Sequence, residues 1–271
     1  MTTRGCPFDC IHCTKLIHGY AYRKRSIENI IQEIRYLKEK FNLKELFIID
    51  DSFNLDVERA EKIMHEIIAN KFNLLIKFTN GLRADRITSR LARYLKSAGT
   101  YFVALGIESG NQQIVNKIGK KLDLKKVITA TRILKENKII PGGFFILGHP
   151  FDNYKTMMET LHFAKSLDLD YPHFFKAIPF PGTKMHDMIA KYGHFIKSAR
   201  TGDEDGYRVT AVNFEIWQLK QADVQKAFKL ANKWFYLRPK KIFDLLMQFR
   251  SLHEIWWAIT EFIVTILKNL R

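Results

Sequence analysis

Past Cys13 the 271-residue sequence contains no cysteine, and its three thiols, Cys6, Cys10 and Cys13, stand together near the start. A disulfide framework is therefore excluded, because the number is odd and a chain of this length can bury its own core. No further cysteines are present to hold a second cluster. Also missing is any run of about 20 apolar residues nearly free of charge, which a spanning helix would need. No signal peptide precedes the cysteines, so secretion is not indicated. Acids are in deficit, with 28 Asp and Glu against 44 Lys and Arg and a net charge of +16. Such a surface attracts anionic partners, yet no Arg-rich tract interleaved with aromatics marks a nucleic-acid stripe. Much of the excess reads as lysines on solvated faces, such as Lys38 and Lys40 or Lys120 and Lys121. A hydrophobic content of 46% is ordinary for a globular enzyme. The length suits one large domain, alone or with a helical extension.

What the sequence does have is Thr-Arg-Gly-Cys-Pro-Phe-Asp-Cys-Ile-His-Cys over residues 3–13. A C-x3-C-x2-C triplet can hold three irons of a [4Fe–4S] cube and leave the fourth without a protein ligand. An open iron is where a cofactor or substrate binds, so the spacing points to chemistry more than to electron storage. Two other readings compete. Three thiolates with His12 or His18 would make a zinc site, although structural zinc ligands usually come as two separated pairs and one cluster stands here. Three inert buried cysteines would have no need of the Pro-Phe-Asp spacer. Thiols kept free for a cluster imply a reducing, low-oxygen cytoplasm.

From residue 1 to 195 strand-like and helix-like segments alternate in units of about 30 residues. Short runs rich in β-branched and aromatic residues predict strands at Glu45–Asp50, Leu75–Thr79, Tyr101–Ile107, Gly143–Leu147 and His173–Ile178. Helical spacing predicts helices after Ser26 and over Val57–Ile68, Ile87–Leu95, Leu124–Leu134 and Tyr154–Leu167. Ser26, Asp56, Asp123 and Asn153 stand where N-caps belong. Alternation of this kind argues for a parallel sheet with right-handed crossovers. Periodicity alone does not separate a doubly wound sheet from a partial barrel. After residue 195 the pattern changes: Ala199–Asp205 reads as a loop, Gln221–Trp234 as a helix, and Arg238–Pro239 as a break. From Leu245 to Leu270 a broad apolar face, with Trp256 and Trp257, opposes charged residues such as Arg250 and Lys268. Its favoured reading packs it on the barrel or a partner; an in-plane membrane helix is the sharper alternative.

The cysteine motif and several downstream stretches resemble the radical S-adenosylmethionine (SAM) enzymes, over roughly residues 1–192. The closest likeness is to the cobalamin-dependent and methylthiotransferase-like group. The resemblance implies an α/β fold, a partial (β/α)6 barrel, with a sixth strand just ahead of Cys6 and function on loops after the strands. It implies Cys6, Cys10 and Cys13 as cluster ligands and His12 as the residue beside the adenine. Asp50 and Asp51, in Ile49-Asp50-Asp51-Ser52, become candidates for the methionine end of SAM. Arg83, in Asn80-Gly81-Leu82-Arg83, becomes a candidate for the SAM carboxylate, the substrate or a structural ion pair. In Gly106-Ile107-Glu108-Ser109-Gly110, Glu108 aligns with the acid that holds the ribose hydroxyls, with Ser109 beside it. The stretch from Gly143 to Gly148 matches the strand whose backbone reads the adenine. One departure follows: the usual acidic Pro-Gly-Glu-Thr-like turn is replaced by Pro150-Phe151-Asp152-Asn153, where Asp152 is the candidate substitute.

These features lead to a defined set of expectations. The core barrel spans 1–195 and a helical extension spans 196–271. The cofactors are a [4Fe–4S] cluster and SAM, cleaved reductively to a 5′-deoxyadenosyl radical, with a methyltransferase or an oxidoreductase as the reaction type. Relatives of this group often carry an N-terminal cobalamin-binding domain, so a short or split form is expected, with cobalamin supplied by a separate chain if used. Absence of a basic β-domain after the barrel weighs against a tRNA methylthiotransferase. Tyr236-Leu237-Arg238-Pro239 resembles members acting on lipids, tetrapyrroles and other small metabolites, so a small or lipid-like substrate is expected. The electron donor would be a flavodoxin or ferredoxin, the location cytoplasmic, and the C-terminal helix a peripheral membrane contact. The alternatives are a basic zinc or degenerate-cluster module on anionic membrane or nucleic acid, and an inactive truncated barrel.

Overall fold

The computed structural model describes residues 1–196 and 213–236, together with Trp256 and Thr260. The first elements are two short strands, β1 (Thr3–Arg4) and β2 (Arg23–Lys24), paired antiparallel across the cysteine segment. Then come α1 (Ile27–Phe41), β3 (Glu45–Ile48), α2 (Val57–Ala69), β4 (Leu75–Leu82), a 3₁₀ turn (Ala84–Arg86), α3 (Ser89–Ser97) and β5 (Thr100–Glu108). Next are α4 (Gln112–Lys117), α5 (Leu124–Glu136), β6 (Ile140–Leu147), α6 (Tyr154–Ser166), β7 (Tyr171–Lys176) and α7 (Lys184–Tyr192). The described chain ends with β8 (Gly193–Phe195), β9 (Phe214–Ile216) and α8 (Gln221–Tyr236).

Strands β3 to β7 form one parallel sheet in chain order. Each new strand adds to the same edge, so right-handed crossovers carry the helices to one side and the sheet curls into a partial barrel. The five expected strands are all present, with every end within three residues of its predicted place. The sixth differs. It exists as β1 but pairs with β2, so among the described residues the parallel sheet has five strands and not six. With only two residues in the strand, side-chain bonds replace a ladder. Asp50, just past β3, accepts from the Thr2 N–H (2.5 Å), the Thr2 hydroxyl and the Thr3 hydroxyl (2.8 Å).

Helix starts follow the caps. Ser26, Asp56, Asp123 and Asn153 each accept an N–H from the first turn, and Thr88, Asn111 and Thr183 do the same. The Thr88 cap moves the start of α3 to Ser89, two residues later than the apolar spacing predicts. Sheet residues such as Ile76, Phe78, Val103, Leu105 and Phe145 are almost fully buried, as are Ile63, Met64, Leu91, Val127 and Leu161 on the helices. Each such side chain contributes about 1.5–3 kcal/mol on burial. The chain divides into compact units at Met1–Phe228 and Lys229–Arg271. Past the expected 195–196 boundary, β9 returns to pair with β8. No described helix is long and apolar enough to cross a membrane. Ala199–Asp205, Arg238–Pro239 and the Leu245–Leu270 stripe lie outside the described residues, apart from Trp256 and Thr260.

Gly99, between α3 and β5, has φ of 100°, and a Cβ there would stand 1.9 Å from the Leu74 carbonyl oxygen. A side chain would meet both backbone strain and a clash with main chain that cannot swing away. Gly99→Ala is expected to lower unfolding free energy by about 2 kcal/mol or more in urea titrations; an unchanged midpoint would contradict the packing described.

Candidate active site

Residues 5–22 carry the three thiols and form no helix, so their position is set from outside. Gly5, at φ of 84°, lets the backbone turn against Ala21, whose oxygen would be 2.1 Å from any Cβ. Its N–H donates to Asp51 Oδ2 (2.8 Å), and that same oxygen meets His18 Nδ1 at 2.7 Å. The Ile11 N–H donates to the Ile118 carbonyl (3.0 Å), and the Ile11 carbonyl accepts from the Met185 N–H (2.9 Å). Lys184 pairs with Asp9. One loop is thus tied to the ends of β3, α4 and α7.

Cys6, Cys10 and Cys13 are all free thiols, and they line one cavity of about 650 Å³. His12, His18, Asp51, Arg83, Glu108 and Lys120 line it too, with Phe144, Ile146 and Phe175 forming an apolar wall. Burial pushes the Cys10 and Cys13 thiols above their ordinary range, with Lys120 pulling Cys10 back down and Lys15 doing the same at Cys13. A metal centre binding here would therefore displace protons. Three sulfurs from one short loop, unpaired and facing a shared cavity, fit the donor set of an iron–sulfur cube. For zinc the fit is poorer. His18, one of the two candidates for a fourth ligand, is already engaged by Asp51.

Glu108 ends β5 at φ of 71°, where the pairing with β6 shifts register. Its buried carboxylate holds the Lys120 ammonium at 2.7 Å. Burial alone would raise the Glu108 pKa, but Lys120 and His12 outweigh it and the net direction is down. For Lys120 burial acts to lower the pKa, and Glu108 and Cys10 reverse it. A Cβ on Gly106 would stand 2.9 Å from Lys120 Nζ, so glycine leaves room for this pair. Lys120 was read from sequence as a solvated surface charge; the fold buries it on the cavity wall.

The remaining sequence candidates divide. His12 reaches the cavity, and burial lowers its pKa. Its ring lies 5.2 Å from that of His149, whose two ring nitrogens are buried and have no hydrogen-bond partner among the described residues. Arg83 lines the cavity but is committed: it forks onto Asp85 (3.0 and 3.1 Å) and donates to the Lys120 and Lys121 carbonyls (3.3 and 2.9 Å). Its guanidinium also lies 3.7 Å from the centre of the Phe8 ring. Asp50 faces Thr2 and Thr3 and does not line the cavity. Ser109 points to α6, where its hydroxyl meets Thr160 (3.1 Å). At Gly143 the Cβ position faces Leu169, and at Gly148, with φ of 89°, it faces Val224. Asp152 turns inward as well, accepting from the Gly148 and His149 N–H groups and the Thr156 hydroxyl. No individual role for Phe8 or His149 is legible in the cysteine spacer and the strand stretch that contain them; each matters through a partner far away in the chain.

The family model described as "Radical SAM superfamily" matches residues 1–164. Over 241 residues the chain is 31% identical to an uncharacterised methyltransferase of Pyrococcus horikoshii, covering 89% of this chain and 51% of that protein. Among solved structures it is similar to the radical SAM methyltransferase TsrM from Kitasatospora setae. With tryptophan substrate and the SAM analogue aza-SAM bound, that protein gives a TM-score of 0.69 at 18% identity, covering 88% of this chain and 51% of that chain. With cobalamin and a [4Fe–4S] cluster bound, the TM-score is 0.64 at 21% identity, covering 70% and 38%. The chain spans 51% of the Pyrococcus horikoshii protein and 39% of a cytidylyl-2-hydroxyethylphosphonate methyltransferase of Streptomyces wedmorensis.

Burial raises the Asp152 carboxyl to about 6, against the pull of its three donors. Its folded pKa thus exceeds the unfolded value of about 3.9, so its contribution to stability is full below pH 4 and lost as pH rises through about 6. Between pH 7 and pH 5 the wild type should gain about 1 kcal/mol relative to Asp152→Asn in urea unfolding. Parallel pH profiles for the two proteins would contradict this.

Proposed function

The chain belongs to the radical SAM superfamily, and we propose that it binds SAM beside a [4Fe–4S] cluster held by Cys6, Cys10 and Cys13 and serves methyl transfer to a small or lipid-like molecule. The observation that carries this reading is the convergence of all three thiols with Glu108 and Asp51 on one cavity at the sheet's C-terminal end. When bound, the cluster supplies the electron for reductive cleavage of SAM. The chain's own residues bind and orient. Glu108 would accept from the vicinal ribose hydroxyls; a carboxylate has several lone-pair directions, so engaging Lys120 leaves capacity for them. Asp51, already holding the cysteine loop, would accept from the SAM amine. Asp50 serves a step earlier, by fixing β1 and with it the entry to the cysteine loop. Phe144, Ile146 and Phe175 exclude water from one side of the cavity and offer an apolar face to the substrate.

Methyl transfer is favoured over oxidation by the methyltransferase relatives. Cobalamin, if it takes part, would come from a domain or chain outside these 271 residues, and the electron from a flavodoxin or ferredoxin.

After anaerobic reconstitution, wild-type protein should bind about four iron and four sulfide and cleave SAM on reduction, whereas Cys10→Ala should do neither. Glu108→Gln should weaken SAM binding about 10- to 100-fold, as loss of a charge-assisted hydrogen bond implies. Equal SAM affinity in that variant would remove Glu108 from the binding role, and SAM cleavage by Cys10→Ala would remove the cluster assignment.

A further inference from the structure

Lys120 reaches the cavity because the turn before it runs against the cysteine loop. Gly119 has φ of 75°, and a Cβ there would stand 2.7 Å from the Asp9 carbonyl oxygen, so the two segments touch backbone to backbone. Beside that contact the Cys10 sulfur lies 3.8 Å from the Gly119 carbonyl oxygen. The Lys120 and Lys121 carbonyls are held in turn by Arg83. A turn clamped on both sides gives Lys120 a fixed stem, and its ammonium ends on Glu108 with only 14% of the side chain exposed.

Removing two charges from water costs several kcal/mol per ion, so a buried pair is weak evidence of a stabilising role. Both charges line the same cavity as Cys10, in a partly buried site where charge is weakly screened, so a centre held at Cys10 would feel the two with opposite sign.

We propose that Lys120 is a positioning residue whose fixed charge raises the reduction potential of the centre held by Cys10 and its two neighbours, with Glu108 as the counterweight that lowers it. The inference rests on the reading that the three cysteines hold an iron–sulfur cluster. The potential of such a centre depends on nearby net charge, hydrogen bonds to sulfur and exposure. In the step concerned, a one-electron donor is oxidised and the cluster gains one electron. No bond is made at Lys120, which keeps its proton, and its positive charge stabilises the added negative one.

The test is an EPR-monitored redox titration of the full chain, reconstituted anaerobically without SAM. Lys120→Met should shift the midpoint to more negative values, Glu108→Gln should shift it to more positive values, and Lys120→Arg should stay near wild type. Opposite signs are what charge predicts and what general loosening of the loop would not produce. If the variants hold clusters with unshifted midpoints, or shift in the same direction, the inference is overturned. Should Lys120→Met lose its iron, the upward shift of Glu108→Gln decides, and its absence overturns the proposal. A wild type with zinc, or with no EPR signal on reduction, overturns the reading of the cysteines and the inference with it.

Discussion

A segment without regular structure has to present three thiols in fixed positions, and every other feature of the site depends on how that is done. Residues 5–22 are held by bonds to remote partners: Asp51 past β3, Ile118 after α4, Met185 and Lys184 at the start of α7. Phe8 adds the face that Arg83 covers, and Arg83 in turn fixes the turn carrying Lys120. A single hydrogen bond of this kind contributes a net of about 0.5–1.5 kcal/mol. Only their sum, made possible by a sheet that already holds the ends of β3 to β7 in one parallel layer, can order the loop.

The same anchors set the electrostatics. Burial raises the Cys10 and Cys13 thiols, against the pull of Lys120 at Cys10 and Lys15 at Cys13, so a metal centre binding there would release protons. Glu108 sits at positive φ, a conformation rare for a residue with a side chain. Such a conformation persists where surrounding structure enforces it, and here the register shift between β5 and β6 does so. The strain aims a carboxylate into the cavity.

The parallel sheet and most helix caps were legible because their signals are local: alternating apolar runs, and Ser, Asp or Asn before a helical stripe. The cysteine spacing and the Gly106–Gly110 stretch were legible because the chemistry demands particular residues at fixed offsets. What stayed hidden depends on distant partners. Lys120 next to Lys121 looks like a solvated pair until the turn folds beneath Cys10. Asp50 and Asp51 are adjacent in sequence, yet the alternation of side-chain direction past β3 sends one to Thr2 and Thr3 and the other to the cavity. Asp152 occupies the place of an expected ligand-binding acid but spends its carboxylate closing the turn into α6. β1 was expected to join the sheet; instead it pairs with β2, and Asp50 holds Thr3 and the preceding Thr2.

The central claim is that the three thiols bind a cluster with one iron open to SAM. The most direct measurement is the EPR spectrum of the reduced, reconstituted protein before and after SAM is added. A signal whose shape and g-values change on saturation with SAM is the predicted result, since SAM would occupy the open iron. A cluster signal indifferent to SAM, or zinc in place of iron, would contradict the account.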